Sequence, residues 1–353
     1  MPTTAFDLSN VAFHGLINED VMQELFRIDP VDLPYMDMAG VGKSDNPYKE
    51  WVQESLGAIS IPTPVLDGDN APTAGTFVEA RVGNHHEINV RRIQVSDRAR
   101  QVDTIGYTDR LLHELMIRQK EMKRNMEAGL LSNKASVLMN ATVAGQYAGC
   151  GAMFAKSSAI AGIPTPNVIN GTVGTFSAGI FPAPTPGTAR ALTETDVRLG
   201  MSMAYKAGGN PTILMSVPEV VEKFSSYLFT ASARIATLMT QNDPVRQGKY
   251  EKQGIRAVGA VNTFVTDFGT LELVPNRSQT QYTVGAVTTC ANVYLFDPDY
   301  WEVSYLQNLQ ASDVARTGLA ENRMLSVDYT NIAKQPLSSA VIMGVNTTLA
   351  VTA

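Results

Sequence analysis

Five short groupings in this 353-residue chain carry residue types that could do chemistry. His113-Glu114 opens the pattern that sets two zinc-binding imidazoles one helical turn apart. The second ligand position holds Ile117, so one metal-bound nitrogen is missing. Gly42-Lys43-Ser44 matches the end of a phosphate-cradling loop, yet Asp37 stands where the loop's first glycine belongs. Asn46-Pro47 follows where a helix N-terminus would have to start. Asp267-Phe268-Gly269 copies the magnesium tripeptide of kinases, with no H-R-D loop ahead of it. Phe176-Ser177-Ala178-Gly179 lacks the first glycine of a nucleophile elbow, having Thr175 there. His85-His86 lies on an expected strand, where successive side chains face opposite ways and cannot share one metal; a polar edge pair is expected. The chain is therefore expected to hold no catalytic residue, no cofactor and no metal.

The elements that would position these groups are easier to read than any site. Asp267 to Gly269 supplies turn residues between two apolar-alternating runs, and Pro275, lacking an N–H, closes the second run, which predicts a β-hairpin. Leu295-Phe296 reads as a strand stopped by Asp297-Pro298-Asp299 before Tyr300-Trp301. Between Asp103 and Asn133 the period turns helical, with Leu111, Leu112, Leu115, Met116, Met122, Met126 and Leu130 on a broad apolar face. Glu114 and Arg118 are spaced i,i+4 on its polar side. A second helix is predicted from Thr193, in a near capping box with Asp196, to Gly208-Gly209. Ile213–Val217 reads as a short buried strand, and Pro218–Met239 as helical.

Two stretches look unable to bury themselves. Residues 1–56 mix short apolar pieces with Pro30, Pro34 and Pro47, which predicts an extended arm. From Ala58 to Ser96 the pattern is that of a long hairpin, with Ile59 and Ile61 going out, a turn at Asp67–Pro72, and Ile88, Val90, Ile93 and Val95 returning. The alternation slips at Arg91-Arg92, which predicts a bulge there. A two-stranded hairpin is marginal alone in water, so a neighbour is expected to cover it. The segment between Lys156 and Arg190 holds no charge but several large apolar residues, a bias opposite to disorder; an ordered loop or small β-insertion pressed on protein is expected.

Composition excludes several function classes. A net charge of -6 offers no basic footprint for tight nucleic-acid binding. Two cysteines, Cys150 and Cys290, make no disulfide framework and read as small buried hydrophobes. No apolar run approaches the ~18 residues of a membrane span.

Taken in order, several motifs resemble the major head proteins of tailed bacteriophages. They are Asp32-Leu33-Pro34-Tyr35-Met36, Glu50–Leu56, Arg81-Val82-Gly83-Asn84, Lys123-Arg124-Asn125-Met126-Glu127, Gly208-Gly209-Asn210-Pro211, Val265–Arg277, Leu295–Trp301, Ala315–Gly318 and Val327–Thr330. Asn125 and Gln307 depart from the acidic residue and the arginine usual there. The resemblance implies an α+β chain with the Hong Kong 97-like major capsid fold. Its expected parts are an N-terminal arm (1–56), a long β-hairpin or E-loop (57–100), a spine helix opening the peripheral domain (101–154), the uncharged insertion (155–190), an axial domain (191–300) and return strands of the peripheral domain (301–353). It further implies assembly through hexamers and pentamers into an icosahedral shell in the virion, built in the host cytoplasm. Portal and scaffolding proteins, a cement protein, and weak non-specific contact with packaged double-stranded DNA are the expected partners, and a membrane is not. Interface residues are expected at Trp51, Arg81, Arg91, Arg92 and Trp301, the tryptophans being equally suited to a core. The type member of the fold joins a hairpin lysine to a neighbour's asparagine, but here no lysine lies between Lys49 and Lys120. Other readings of the same residues are an encapsulin-like compartment of that fold and a cytoplasmic hydrolase.

Overall fold

The computed structural model describes residues 27–29, 31–55, 61, 64–68, 78–102, 106–154, 156–157, 167–228, 262–316 and 318–351. In chain order its longer strands begin with β1 (Gly40–Lys43), β2 (Tyr48–Ser55), β3 (Val78–His85) and β4 (Glu87–Ser96). Five two-residue strands follow: β5 (Lys156–Ser157), β6 (Val168–Ile169), β7 (Gly171–Thr172), β8 (Thr175–Phe176) and β9 (Thr185–Pro186). Then come β10 (Ile213–Ser216), β11 (Thr263–Thr266), β12 (Gly269–Pro275), β13 (Tyr282–Val284), β14 (Val287–Phe296), β15 (Trp301–Val314), β16 (Ala320–Ala333) and β17 (Ala340–Asn346). The helices are α1 (Pro34–Met38), α2 (Asp97–Gln101), α3 (Arg110–Leu130), α4 (Cys150–Met153), α5 (Glu194–Ala207) and α6 (Pro218–Leu228).

Two sheets organise these elements. A four-stranded sheet runs β1-β15-β16-β4, and a larger one runs β11-β12-β10-β14-β17-β6 with β13 beside β14. The long antiparallel pair β15–β16 is the spine of the first sheet, and α3 packs along its β4 side. Two apolar cores result. Tyr35, Met126, Leu130, Phe154, Phe296 and Trp301 belong to the first, and Val197, Met201, Leu214, Phe224, Leu271 and Val293 to the second.

Local chemistry explains the ends of the main helices. Asp109, at the N-cap of α3, accepts a hydrogen bond from the Leu111 N–H, and Thr193 accepts from Asp196 N–H at the start of α5. Gly208 ends α5 at φ +94°, a backbone state that glycine adopts without a Cβ clash. The hairpin β11–β12 turns at Thr266–Gly269 as its turn residues predict, and β10 is the expected buried strand. Helix α6 is described as far as Leu228; the expected continuation to Met239 lies outside the described residues, as do Asp103 and the 158–166 part of the insertion.

Four expectations change. The outgoing strand of the long hairpin is β2, which pairs antiparallel with β3 from Tyr48↔His85 to Ser55↔Val78, so Tyr48–Ser55 belongs to the hairpin and not to the arm. The predicted turn falls largely on residues 69–72, outside the described ones. Strand β4 carries no bulge: its pairing with β16 is unbroken from Ser96↔Ala320 to Glu87↔Tyr329. The pattern slips because the strand changes its buried face, Ile88 and Val90 facing outward while Ile93 and Val95 enter the core. From Pro34 the expected arm is bound to the chain's own body, since Tyr35 is wholly buried and β1 pairs with β15. Finally β17 does not return to the first sheet. Its unbroken apolar run from Ala340 to Met343 is buried on both faces as an inner strand of the larger sheet, between β14 and β6.

Candidate assembly surfaces

The first feature is a polar anchor inside the core. The carboxylate of Glu127, on the last turn of α3, is buried and accepts hydrogen bonds from the Tyr35 N–H (2.6 Å), the Met36 N–H (3.0 Å) and Asn276 Nδ2 (2.7 Å). Burial pushes this carboxyl above its ordinary range, while the three donors favour its charged form. Tyr35 itself donates its hydroxyl to Asn331 Oδ1 at 2.8 Å, and its ring meets Phe296 and Trp301 at centroid distances of 5.4 and 6.4 Å. One carboxylate thus ties the entering chain, the long helix and the end of β12 together.

The second feature is the root of the β2–β3 ribbon. Asn84 Nδ2 donates to Asn331 O at 2.8 Å, Ala148 N–H donates to Asn84 Oδ1 at 2.9 Å, and Thr330 Oγ1 donates to His85 O at 2.8 Å. Lys134 donates to Glu87 Oε2 at 2.5 Å and sits 3.3 Å above the Tyr147 ring, whose hydroxyl is 3.0 Å from that of Tyr329. The two histidines are interior, contrary to the expected polar edge pair, because the chain passes through the body between β3 and β4. His85 lies against the Tyr48 ring at 4.6 Å, and His86 Nδ1 is 3.2 Å from Asp328 Oδ1. Burial presses His86 down and Asp328 up, while the charge of each favours the ionised form of the other. Beside it opens a cleft of about 610 Å³ with Leu138, Met139 and Ile88 in its wall.

The residues expected at interfaces separate into groups. Arg81 reaches Glu50 across the ribbon at 3.7 Å, and Arg92 donates to Asn322 Oδ1 at 3.1 Å; both, with Arg91, are exposed. Trp51 is half-buried against the first core. Trp301 is corrected to a core residue: only 1% of it is exposed, and its indole N–H donates to Ser339 Oγ at 2.9 Å. A side chain sealed inside its own chain has no surface to offer a neighbour. The sequence reading missed the apolar residues that are left open. Leu112 and Met116 lie one turn apart on α3 with 56% and 57% exposed, and Ile88 is 61% exposed. Their signal was present in the apolar face of α3, which was read as wider than the core it meets.

The near-motifs have ordinary structural roles. His113 stacks on Tyr107 at 4.4 Å, Lys43 lies 3.7 Å from Asp45, and Asp267 accepts from Arg198 at 3.0 Å. Ser177 begins a tight turn to Ile180 with Ala178 at φ +50° and Gly179 at φ +77°. Cys150 and Cys290 are free and buried, and burial pushes the Cys150 thiol up to about 12. Among the described residues no group of three metal-ligating side chains occurs, and no helix is long and apolar enough to cross a membrane.

The family model described as SU10 major capsid protein matches residues 2–346 of this chain. The chain belongs to that family. The major capsid protein of Escherichia phage Phieco32 is 21% identical over 346 residues, covering 89% of this chain and 90% of that one. Among solved structures, the capsid of the cyanophage A-1(L) superposes with a TM-score of 0.60 at 13% identity, over 96% of this chain and 99% of that one. The capsid of an empty GTA particle gives 0.61 at 11%, over the same shares. The holo-SrpI encapsulin of Synechococcus elongatus PCC 7942 gives 0.52 at 11%, over 98% of each chain. The fold is the Hong Kong 97-like capsid fold, and the chain is a capsid subunit. Among the large apolar residues that its own chain leaves exposed are Ile88, Val90, Leu112, Met116, Leu138 and Met139.

Proposed function

We propose that this capsid subunit closes an icosahedral shell through rings of six and five copies. The β2–β3 ribbon acts as the E-loop, α3 as the spine helix of a peripheral domain, and the larger sheet with α5 and α6 as the axial domain. The ribbon carries the reading. Its inward residues Gln53 and Ala80 are buried on the body, whereas Val52 on its outer face is exposed, as are Ile61, Val65 and Leu66 further along the chain, apolar groups suited to contact with another copy. Many modest contacts repeated by symmetry then stabilise the shell. The role is structural, with no catalysis. Trp51, Arg81, Arg91 and Arg92 face neighbouring copies; a portal, a scaffolding protein and a cement protein complete the particle in the host cytoplasm. The net charge of -6 fits a wall that holds double-stranded DNA without gripping it.

The contents of the particles test this reading. Purified particles carrying the chain should protect double-stranded DNA from nuclease. Particles filled instead with one folded protein, and free of DNA, would favour an encapsulin-type compartment and contradict the proposal.

A further inference from the structure

We propose that Asn170-Gly171 is a latent self-modification site. The folded subunit holds the Asn170 amide unreactive, opening of the β6 edge of the larger sheet releases it to deamidate, and the carboxylate then formed opposes the closing of that edge.

The sequence supplies the reactive pair. Of all the asparagines in the chain, Asn170 alone is followed by glycine. In such a pair the glycine nitrogen, with no side chain beside it to hinder approach, attacks Cγ of the asparagine. A C–N bond forms, the Cγ–Nδ2 bond breaks, and the amide nitrogen leaves as ammonia with the proton of the attacking N–H. One water then opens the five-membered imide and leaves aspartate or its iso-linked isomer. Water is the only co-reactant.

The fold requires both residues at this place. Asn170 has φ +55°, a left-handed state that asparagine adopts more readily than most side chains. Gly171 is packed so closely that a Cβ there would lie 2.9 Å from Met343 Sδ and 3.3 Å from Thr185 O. The pair is kept for its shape, and its reactivity comes with it.

In the closed structure that reactivity is held. Asn170 Nδ2 donates to the carbonyls of Thr188 and Met343, both at 2.8 Å. Two acceptor oxygens around one end of the amide fix that end as the NH2 group. Ammonia leaves, and Cγ turns toward the Gly171 nitrogen, only after both bonds break. The backbone is pinned too, since the Gly187 N–H donates to Asn170 O at 2.8 Å.

The weak place is the edge. Strand β6 is the terminal strand of the larger sheet and pairs with β17 only through Val168↔Val341 and Ile169↔Ile342. Two residue pairs at an edge open at a lower free energy than the core strands beside them. Once the carboxylate has formed, both donors are gone, and its oxygens meet the Thr188 and Met343 carbonyls with no proton between them. A transient opening is thereby weighted toward a lasting one.

Mass spectrometry of the full chain tests both halves of the proposal. Trypsin releases residues 157–190 as one peptide, because no lysine or arginine lies between Lys156 and Arg190. Conversion exchanges NH2 for OH, and fragmentation of that peptide places the change at 170. In mildly alkaline buffer the native subunit should convert about tenfold or more slowly than the same chain in denaturant. Its rate should stay flat as denaturant is added below the unfolding transition, as a local opening requires. A native rate equal to the denatured one overturns the protection, and a rate that climbs from the first addition assigns the reaction to global unfolding and overturns the edge. The second half uses parent chains partly converted in denaturant and then brought to the parent's unfolding midpoint. There the folded-to-unfolded ratio of modified chains should be about tenfold below that of unmodified ones. Asn170→Asp should show the same loss at the same midpoint. Equal ratios, or a variant that folds as tightly as the parent, overturn the proposal; if the variant cannot be recovered folded, the mixed parent population gives the answer alone.

Discussion

The Glu127 carboxylate accepts the backbone N–H of Tyr35 at 2.6 Å across 92 positions of sequence. That bond fixes where the entering chain stops being an arm. Upstream of Pro34 the described residues 27–29, 31 and 32 are exposed, whereas Tyr35 and Ala39 are buried in the core.

Glu127→Gln should destabilise the subunit by about 1–3 kcal/mol, because the amide turns a donor toward the Met36 N–H that the carboxylate now accepts. The pH dependence has a definite sign. Burial raises this carboxyl above 4.5, so between that value and its folded value the folded chain holds a proton the unfolded chain has released. Ionising the group therefore costs the folded state stability progressively as pH rises through that window, and this cost is constant above it. Denaturant titrations across pH should show this slope in the parent and its loss in Glu127→Gln.

Truncation should locate the arm's boundary. Removal of residues 1–26 should leave a folded subunit, whereas removal of 1–50 deletes Tyr35, β1 and the start of β2 and should abolish cooperative unfolding. A cooperative melt from the shorter chain would contradict the anchoring role of Tyr35.

Trp301→Ala should cost about 3–5 kcal/mol in the unassembled subunit, as large-to-small changes in a packed core do, and should leave Ser339 Oγ with the Asp297 N–H as its backbone donor after losing the indole. Melting of the subunit alone separates this from an interface effect, which would leave the melt unchanged.

Leu112→Gln with Met116→Gln should do the reverse. Both positions are exposed on α3 and glutamine keeps helix propensity, so subunit stability should stay within about 0.5 kcal/mol. Shell yield by sedimentation should fall. Normal yield would remove this stripe from the assembly surface.

What the sequence made legible was whatever is written locally. The turn at Asp267–Gly269, the Thr193 cap and the Gly208 stop each depend on a few adjacent residues, and each is where it was read. The ribbon was displaced because β2 does not alternate cleanly. It turns Trp51 and the polar Gln53 inward, and the reason lies in the carbonyls of Ala333 and Lys334, some 280 residues away. Glu127 was read only as part of a helix end, since its partners are Tyr35 and Asn276. Trp301 could serve a core or an interface by type alone, and only the surrounding Tyr35, Phe154 and Phe296 rings decide. Apolar positions on α3 were legible, but which of them a single copy would leave open was not.

The shell should not be covalently linked through the hairpin. Beyond Lys49 at the root of β2, whose ammonium donates to the Lys43 carbonyl, no lysine occurs before Lys120, so the outer part of the ribbon lacks the amine an isopeptide bond needs, and a guanidinium does not lose its proton to replace it. Boiled particles should give a single band near 38 kDa on a denaturing gel; ladders at ring multiples would contradict this.

The central claim is tested most directly by cryo-electron microscopy of particles carrying the chain. The account predicts a closed icosahedral wall in which this fold repeats in rings of six and five, with each β2–β3 ribbon in contact with a neighbouring copy. Discrete small oligomers with the ribbon folded back on its own body would contradict it.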